Sequence, residues 1–293
     1  MATNRHTQTT FLQAVLSGTL PECPDDHSTG THQSRIGTYQ TWCANYEKFA
    51  EFMTAGQPAY EIFAHGNQKL HFFAFSAVPG NGLCPGAGEW LKWCYSFKAW
   101  RFAAAFFRQL QNTLLIQAQS QLIIDAWQDL PQDKTIRLYV DGDFDSLETM
   151  KFWFKLVASR PDLNVYGYSK SWQLFLDYAK AGREFPDNYT LNLSSGSIYE
   201  KIPAMRQAMD TLSIVRGDFA VVKHDTDIDK APDRRIDPVK FAKWAAACKA
   251  AAKLSGFAKC FVCPGKCYDC LPNGEHACGS AKFKDMPIVI GLH

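Results

Sequence analysis

The sequence predicts an α/β protein of repeated βαβ units, forming a parallel sheet or a partial (β/α) barrel, with a cysteine-rich C-terminal metal-binding segment. Three observations carry that expectation. Short apolar or alternating runs stand at Ile136–Val140, Leu163–Tyr168, Tyr189–Leu193 and Phe219–Val222, separated by helical patterns near Leu147–Ser159, Ser171–Ala181, Tyr199–Leu212 and Pro238–Leu254. Strand and helix alternate with a period of roughly 25–30 residues, the pattern of βαβ units and so of parallel pairing. Five of the ten cysteines fall between Cys260 and Cys278.

A chain of 293 residues, 46% hydrophobic and 20% charged, can bury one large core or two small ones. Its net charge of +2 gives no global pull toward nucleic acid or a membrane surface. No run approaches the ~18 apolar residues of a spanning helix, and no basic segment with an apolar core opens the chain. A cytoplasmic, reducing setting without membrane contact is therefore expected. Clustered cysteines there point to metal or redox chemistry rather than disulfides.

Taken in order, residues 1–35 are rich in Thr, Ser, Gln, Asp and His and read as a flexible N-terminal arm with one short helical turn at Phe11–Leu16. Cys23 and His27 lie in this arm. Residues 36–257 form the α/β domain, and residues 258–293 a cysteine-rich tail packed on it. Trp42, Tyr46, Phe49 and Phe52 repeat at helical spacing and read as core. His71–Val78 reads as a strand, followed by a Pro-Gly-Asn-Gly turn. Residues 96–126, without Gly or Pro, read as one or two helices. A last strand is expected near Ile288–Ile290. Cys43 and Cys248 read as buried fillers.

In such sheets chemistry collects at the carboxyl ends of the strands. Those ends read Asp141-Gly142-Asp143, Ser169-Lys170-Ser171, Asn192 with Ser194-Ser195-Gly196-Ser197, and Lys223-His224-Asp225. Asp141, Asp143, Lys223 and His224 are the candidate catalytic residues, and Gly142, Ser169, Ser194 and Ser195 the candidate cofactor-binding ones. For Asp145 and Ser171 helix capping is the expected role.

The tail spacing is C-x2-C-x3-C-x2-C-x7-C. Only Pro264, Gly265 and Lys266 separate the two C-x2-C pairs, too few for an ordinary zinc ribbon, whose pairs stand roughly 15–20 residues apart. Closely spaced thiolates with a more distant one suit an iron–sulfur cluster, foremost 4Fe-4S, with zinc the alternative. The candidate ligands are Cys260, Cys263, Cys267, Cys270 and Cys278, with Cys84 and Cys94 available for a further site.

Four motifs resemble the phage gene product 88 family, found in phages and mobile elements. They are Gly66-Asn67-Gln68-Lys69-Leu70 before a strand, Cys84-Pro85-Gly86-Ala87 with Cys94-Tyr95, Arg137–Phe144 (RLYVDGDF), and Tyr168-Ser169-Lys170-Ser171. The tail, ending in an apolar strand and His293, fits as well, so the likeness spans about residues 66–293. Lys170 stands where that family usually has Arg, and Asp141 where it has a small polar residue. A more distant likeness is to radical-SAM partial barrels, with Gly142-Asp143 as the counterpart of the strand end that helps hold S-adenosylmethionine. The C-x3-C-x2-C run of those enzymes is absent around Cys84.

Two functions follow as expectations. One is a metal-cluster protein of phage or plasmid type, a redox or radical-SAM-like enzyme acting on a small molecule or with a redox partner. The other is a zinc-stabilised factor of a mobile element that binds nucleic acid or protein, with Trp100 and Arg234-Arg235 as candidate contacts.

Overall fold

The computed structural model describes residues 2–23, 32–66, 72–80, 82–228, 230–265, 270 and 277–292. Eight α-helices and eight strands are assigned among them. In chain order they are α1 (Ala2–Leu16), α2 (His32–Ala55), β1 (Ala64–His65), β2 (Phe73–Ala74), α3 (Ala103–Gln117), α4 (Gln121–Gln128) and β3 (Thr135–Leu138). There follow α5 (Leu147–Ser159), β4 (Asn164–Ser169), α6 (Trp172–Lys180), β5 (Tyr189–Ser194), α7 (Pro203–Asp210), β6 (Val215–Val222), α8 (Pro238–Leu254), β7 (Phe261–Val262) and β8 (Ile288–Gly291). Two 3₁₀ segments, Gly88–Trp93 and Tyr95–Arg101, link β2 to α3.

The strands form one sheet in the order β1-β2-β3-β4-β5-β6-β8-β7. Only β1 and β2 pair antiparallel; every other neighbouring pair is parallel. From β2 to β6 each strand lies beside its predecessor, so the winding runs one way. Right-handed crossovers wound in one direction place their helices on one face of the sheet, and the packing agrees. Ile136, Leu138, Val165, Leu191 and Leu193 face the main core with α1 to α7, where Trp153 touches Phe63, Phe75 and Trp127. Ala220, Val222 and Val289 continue that face against Trp244 and Cys248 of α8. The alternate positions, Tyr166, Tyr168, Phe219, Ile288 and Ile290, point the other way, into a cluster that contains no α-helical residue and is covered by the tail.

Local sequence explains the helix starts. Ser146 caps α5 in a capping box with Thr149, and Asp237 accepts from the Lys240 N–H with Pro238 at the first position of α8. Asp145 is not the cap of α5: it accepts the Thr149 hydroxyl instead. Ser171 occupies the cap position of α6 but donates its hydroxyl to the Phe144 carbonyl.

Three expectations change. The single helical turn expected near residue 11 is a fifteen-residue helix, α1. Its Phe11, Leu12 and Val15, all within the expected turn, bury in the core with Phe106 and Phe107, and that packing supports a helix running back to Ala2. The strand expected over residues 71–78 pairs as β2 only at Phe73–Ala74. Beyond it Phe75 exchanges two backbone bonds, with Arg137 and Val140, and Ala77 donates one to the Asp141 carbonyl, along the β3 end. Finally β6 starts at Val215, four residues early: Arg216 and Gly217 break the apolar pattern, and Arg216 is the extra residue of a bulge between the Leu191–Val215 and Asn192–Gly217 pairs, past which the pairing resumes.

Candidate functional site at the carboxyl ends of the strands

The turn after β3 places Asp141 and Asp143. Gly142 has φ +84, and a Cβ there would stand 3.0 Å from the Ala77 carbonyl oxygen, so the position needs glycine. Asp143 is buried and accepts three hydrogen bonds: the Ser169 hydroxyl at 2.7 Å, the Phe144 N–H at 2.8 Å and the Lys170 N–H at 2.8 Å. Burial raises its pKa above the ordinary carboxylate value, and these donors oppose the shift. With its oxygens so occupied, Asp143 ties the β3 end to the β4 end. Asp141 accepts from Gln109 Nε2 at 3.1 Å, and its pKa too is raised by burial, against the pull of Ser96, Arg137, Ser76 and Arg108.

Lys170 extends from the β4 end across β5. Its Nζ donates to the Ser194 hydroxyl and the Ser195 carbonyl, each at 2.5 Å. Burial lowers its pKa, opposed by Asp143, Cys94, Glu200 and Cys84 nearby. The Ser197 hydroxyl holds the Lys170 carbonyl at 2.7 Å, so the residue is fixed at amide, carbonyl and amine. The Cys84-Pro85-Gly86-Ala87 loop lies over this junction. A Cβ on Gly86 would be 1.7 Å from the Lys170 carbonyl oxygen, and the Gly86 carbonyl accepts the Ile198 N–H at 2.9 Å. Cys84 is buried and accepts the Gly80 N–H at 3.5 Å. Burial drives its thiol pKa up, with Asp143 and Cys94 adding to the shift.

On the tail-covered face, which among the described residues carries no α-helix but two 3₁₀ turns, Ala277–Gly279 and Ala281–Phe283, the tail brings Cys263, Cys270 and Cys278 into one cluster with Phe72, Ala74, Tyr166 and Ile288. Two buried polar residues clamp it there. Asn192 donates to the Cys278 carbonyl at 2.9 Å and to the Gly167 carbonyl at 3.1 Å. Arg216, 2% exposed, donates to Asn192 Oδ1 at 2.5 Å and to the carbonyls of Phe283, Met286 and Asp218 at 3.0, 2.8 and 2.9 Å. The Cys278 pKa is raised by burial, opposed by a hydrogen bond with Tyr168 and by the charges of Arg216 and Arg137. Arg137 stacks over the Tyr168 ring at 4.4 Å and also interacts with Tyr95, linking the tail cluster to the strand-end loop.

The predicted site residues therefore divide. Asp141, Gly142, Asp143, Ser169, Ser194, Ser195, Cys84 and Cys94 gather around Lys170 and Tyr95. Ser195 also has a backbone role, its hydroxyl accepting the Val221 N–H at 3.1 Å. Lys223 is exposed. His224 turns to the helical side, where a Cβ on Gly291 would meet its Nε2 at 2.9 Å and the Cys248 Sγ at 3.0 Å. Strand alternation separates Cys260 from Cys263: Cys260 packs with Cys248 and Trp244 on the helical side. Cys267, His27, Asn67–Leu70 and His293 lie outside the described residues. Among the described residues no three Cys, His, Asp or Glu side chains form a group that could hold a metal ion. Trp100, considered as a nucleic-acid contact, is buried and donates to Gln109 at 3.0 Å.

Sequence reasoning passed over Lys170, Asn192 and Arg216 as working residues. Arg216 lay outside the strand read from the sequence, Phe219–Val222, so nothing there marked it as a buried cation; such a charge is rarely buried unless it is fully bonded.

Fold and site together define an α/β protein wound one way from β2 to β6, with a polar cluster at its strand ends and a thiol-rich segment on the face that the tail covers. The family model of Gene product 88 matches residues 52–283, and the chain belongs to that family. Neither the curated proteins nor the solved structures searched gave a match. No described helix is long and apolar enough to cross a membrane.

Proposed function

We propose that this protein carries a thiolate-bound metal centre, an iron–sulfur cluster foremost and zinc as the alternative, on the face that the tail covers, beside a small-molecule site at the strand carboxyl ends. The observation that carries the reading is the gathering of Cys263, Cys270 and Cys278 in one buried cluster, clamped by Asn192 and Arg216. The donor chemistry fits: these are soft thiols, and Arg137 and Arg216 supply positive charge beside Cys278. No described trio is preassembled, so the ligand set needs Cys267, which lies between Cys263 and Cys270 in the sequence. When bound, such a centre supplies redox capacity or local structure. The chain's own residues do the rest: Asp143 joins two strand ends, Lys170 places its amine over Ser194 and Ser195, and Tyr168 and Arg137 stand beside Cys278. One-way winding is also that of a partial barrel, which makes S-adenosylmethionine the first small molecule to assay at Gly142 and Asp143.

The test is metal content across a cysteine series purified without oxygen. Cys263→Ser, Cys270→Ser and Cys278→Ser are expected to lose the metal, and Cys260→Ser to keep it. Retention in all three of the first set contradicts the ligand assignment.

A second reading rests on a separate observation. Trp90, Tyr95 and Phe102 are 49%, 57% and 58% exposed, within one segment that also carries Lys92, Lys98 and Arg101, the last stacked over Phe102 at 4.8 Å. Aromatic and basic residues so interleaved suit single-stranded nucleic acid. Binding that falls steeply with salt supports it; no binding at low salt removes it.

A further inference from the structure

We propose that Cys23 and Cys43 are a redox-active thiol pair that closes into a reversible disulfide, stapling the segment after α1 to the middle of α2. Both are thiols here, and their Sγ atoms stand 3.6 Å apart. A disulfide bond is about 2.05 Å long, so closure asks for a shift of the two side chains rather than of an element. The backbone on both sides is already held. Tyr46, three residues beyond Cys43 and so on the same face of α2, donates its hydroxyl to the Pro21 carbonyl at 3.0 Å. Its ring meets Phe11 of α1 at 6.2 Å, edge on, and Phe11 is buried. Cys23 is thus presented to Cys43 by a segment anchored two residues earlier. Both thiols are half-buried, which leaves them open to a small reagent, whereas Cys248, Cys263, Cys270 and Cys278 are buried.

The chemistry is thiol–disulfide exchange with a low-molecular-weight disulfide. One protein thiolate attacks the reagent's sulfur–sulfur bond, forming a mixed disulfide and releasing one reagent thiol. The second protein thiolate then attacks the protein sulfur of that mixed disulfide, forming the Cys23–Cys43 bond and releasing the other reagent thiol. Two electrons pass to the reagent, and the two protons end on its released thiols. In a reducing setting the pair rests as dithiol, and it closes when the poise turns oxidising.

The experiment uses the full chain, treated with oxidised glutathione under native conditions, quenched in acid, alkylated and digested with trypsin. Arg5, Arg35 and Lys48 place the two cysteines in separate peptides, residues 6–35 and 36–48. The expected result is a linked pair of these peptides that separates with dithiothreitol. Cys43→Ser is expected to accumulate a glutathione adduct on Cys23 in its place. The urea midpoint of the oxidised wild type should lie above that of the reduced form, with no such shift in Cys43→Ser. Alkyl label on both cysteines after oxidation, or Cys23 linked to a different cysteine, overturns the proposal.

Discussion

Arg216 offers the most demanding test of how the tail is held. Replacing it with Met keeps much of its length and apolar stem but removes four charge-assisted hydrogen bonds, to Asn192, Phe283, Met286 and Asp218. Each bond to a charged group contributes about 1.5–3 kcal/mol net, and each buried acceptor left unpaired costs about 1–3 kcal/mol. Against this stands relief from keeping a guanidinium at 2% exposure, a desolvation cost of several kcal/mol. These opposing terms do not partition additively, and breaking a buried hydrogen-bond network is among the changes that give the large single-substitution losses, so a loss of about 3–4 kcal/mol is expected. Urea unfolding of wild type and Arg216→Met, followed by tryptophan fluorescence, measures it. Because two of the lost acceptors lie at Phe283 and Met286, the tail should also loosen. Alkylation of Cys278, buried in the folded protein, should therefore become faster well below the unfolding midpoint. A loss under about 1 kcal/mol with Cys278 still protected would refute the clamp, since a net cost that small matches an exposed pair.

Three further outcomes follow from the site. Gly86→Ala forces a Cβ to within 1.7 Å of the Lys170 carbonyl oxygen, so the loop must move; an expected loss of about 2–4 kcal/mol by urea unfolding, with Cys84 becoming reactive to a thiol reagent, checks it. Lys170→Ala, which strands the Ser194 hydroxyl and Ser195 carbonyl, should cost about 1–3 kcal/mol, and Lys223→Ala, an exposed change, less than about 0.5 kcal/mol. The pH dependence has a fixed sign. Asp141 has its folded pKa raised above the unfolded 3.8, so its contribution is fully present below 3.8 and is lost as pH rises through the folded value. Asp141→Asn should flatten that part of the stability–pH curve. An unchanged slope would show that Asp141 titrates alike in both states.

Much of the sheet could be read from the sequence because the strands from Ile136 to Ile290 keep a period of two or run wholly apolar, and the helices between them keep a period near 3.6. Thr135–Leu138, Asn164–Ser169, Tyr189–Ser194 and Leu147–Ser159 lie within a residue or two of expectation. The short pairings at Ala64–His65 and Phe261–Val262 were not legible, since two residues carry no period, whereas the apolar run that holds Phe73–Ala74 was read as a strand but at greater length. Polar strand ends pointed to Asp141, Asp143 and the serines, yet could not say that Asp143 is consumed in joining β3 to β4. The direction of His224 and of Cys260 depends on strand parity at the sheet edge. One residue of phase puts Cys260 and Cys263 on opposite faces, and spacing alone gives no phase. Lys170 read only as one member of a polar strand end because its importance lies in contacts with Ser194, Ser195 and Ser197, some 24 to 27 positions away.

The central claim is that the tail cysteines hold a metal, and metal content tests it most directly. The full chain, purified without oxygen, should be assayed for iron, zinc and acid-labile sulfide and its absorption recorded. Iron with equal sulfide and a broad band near ~400 nm is the result expected for a Cys-ligated cluster; zinc alone, without colour, would make the tail a structural site. Iron, zinc and sulfide all absent from folded protein, with Cys263, Cys270 and Cys278 quantitatively recovered as thiols, would contradict the account.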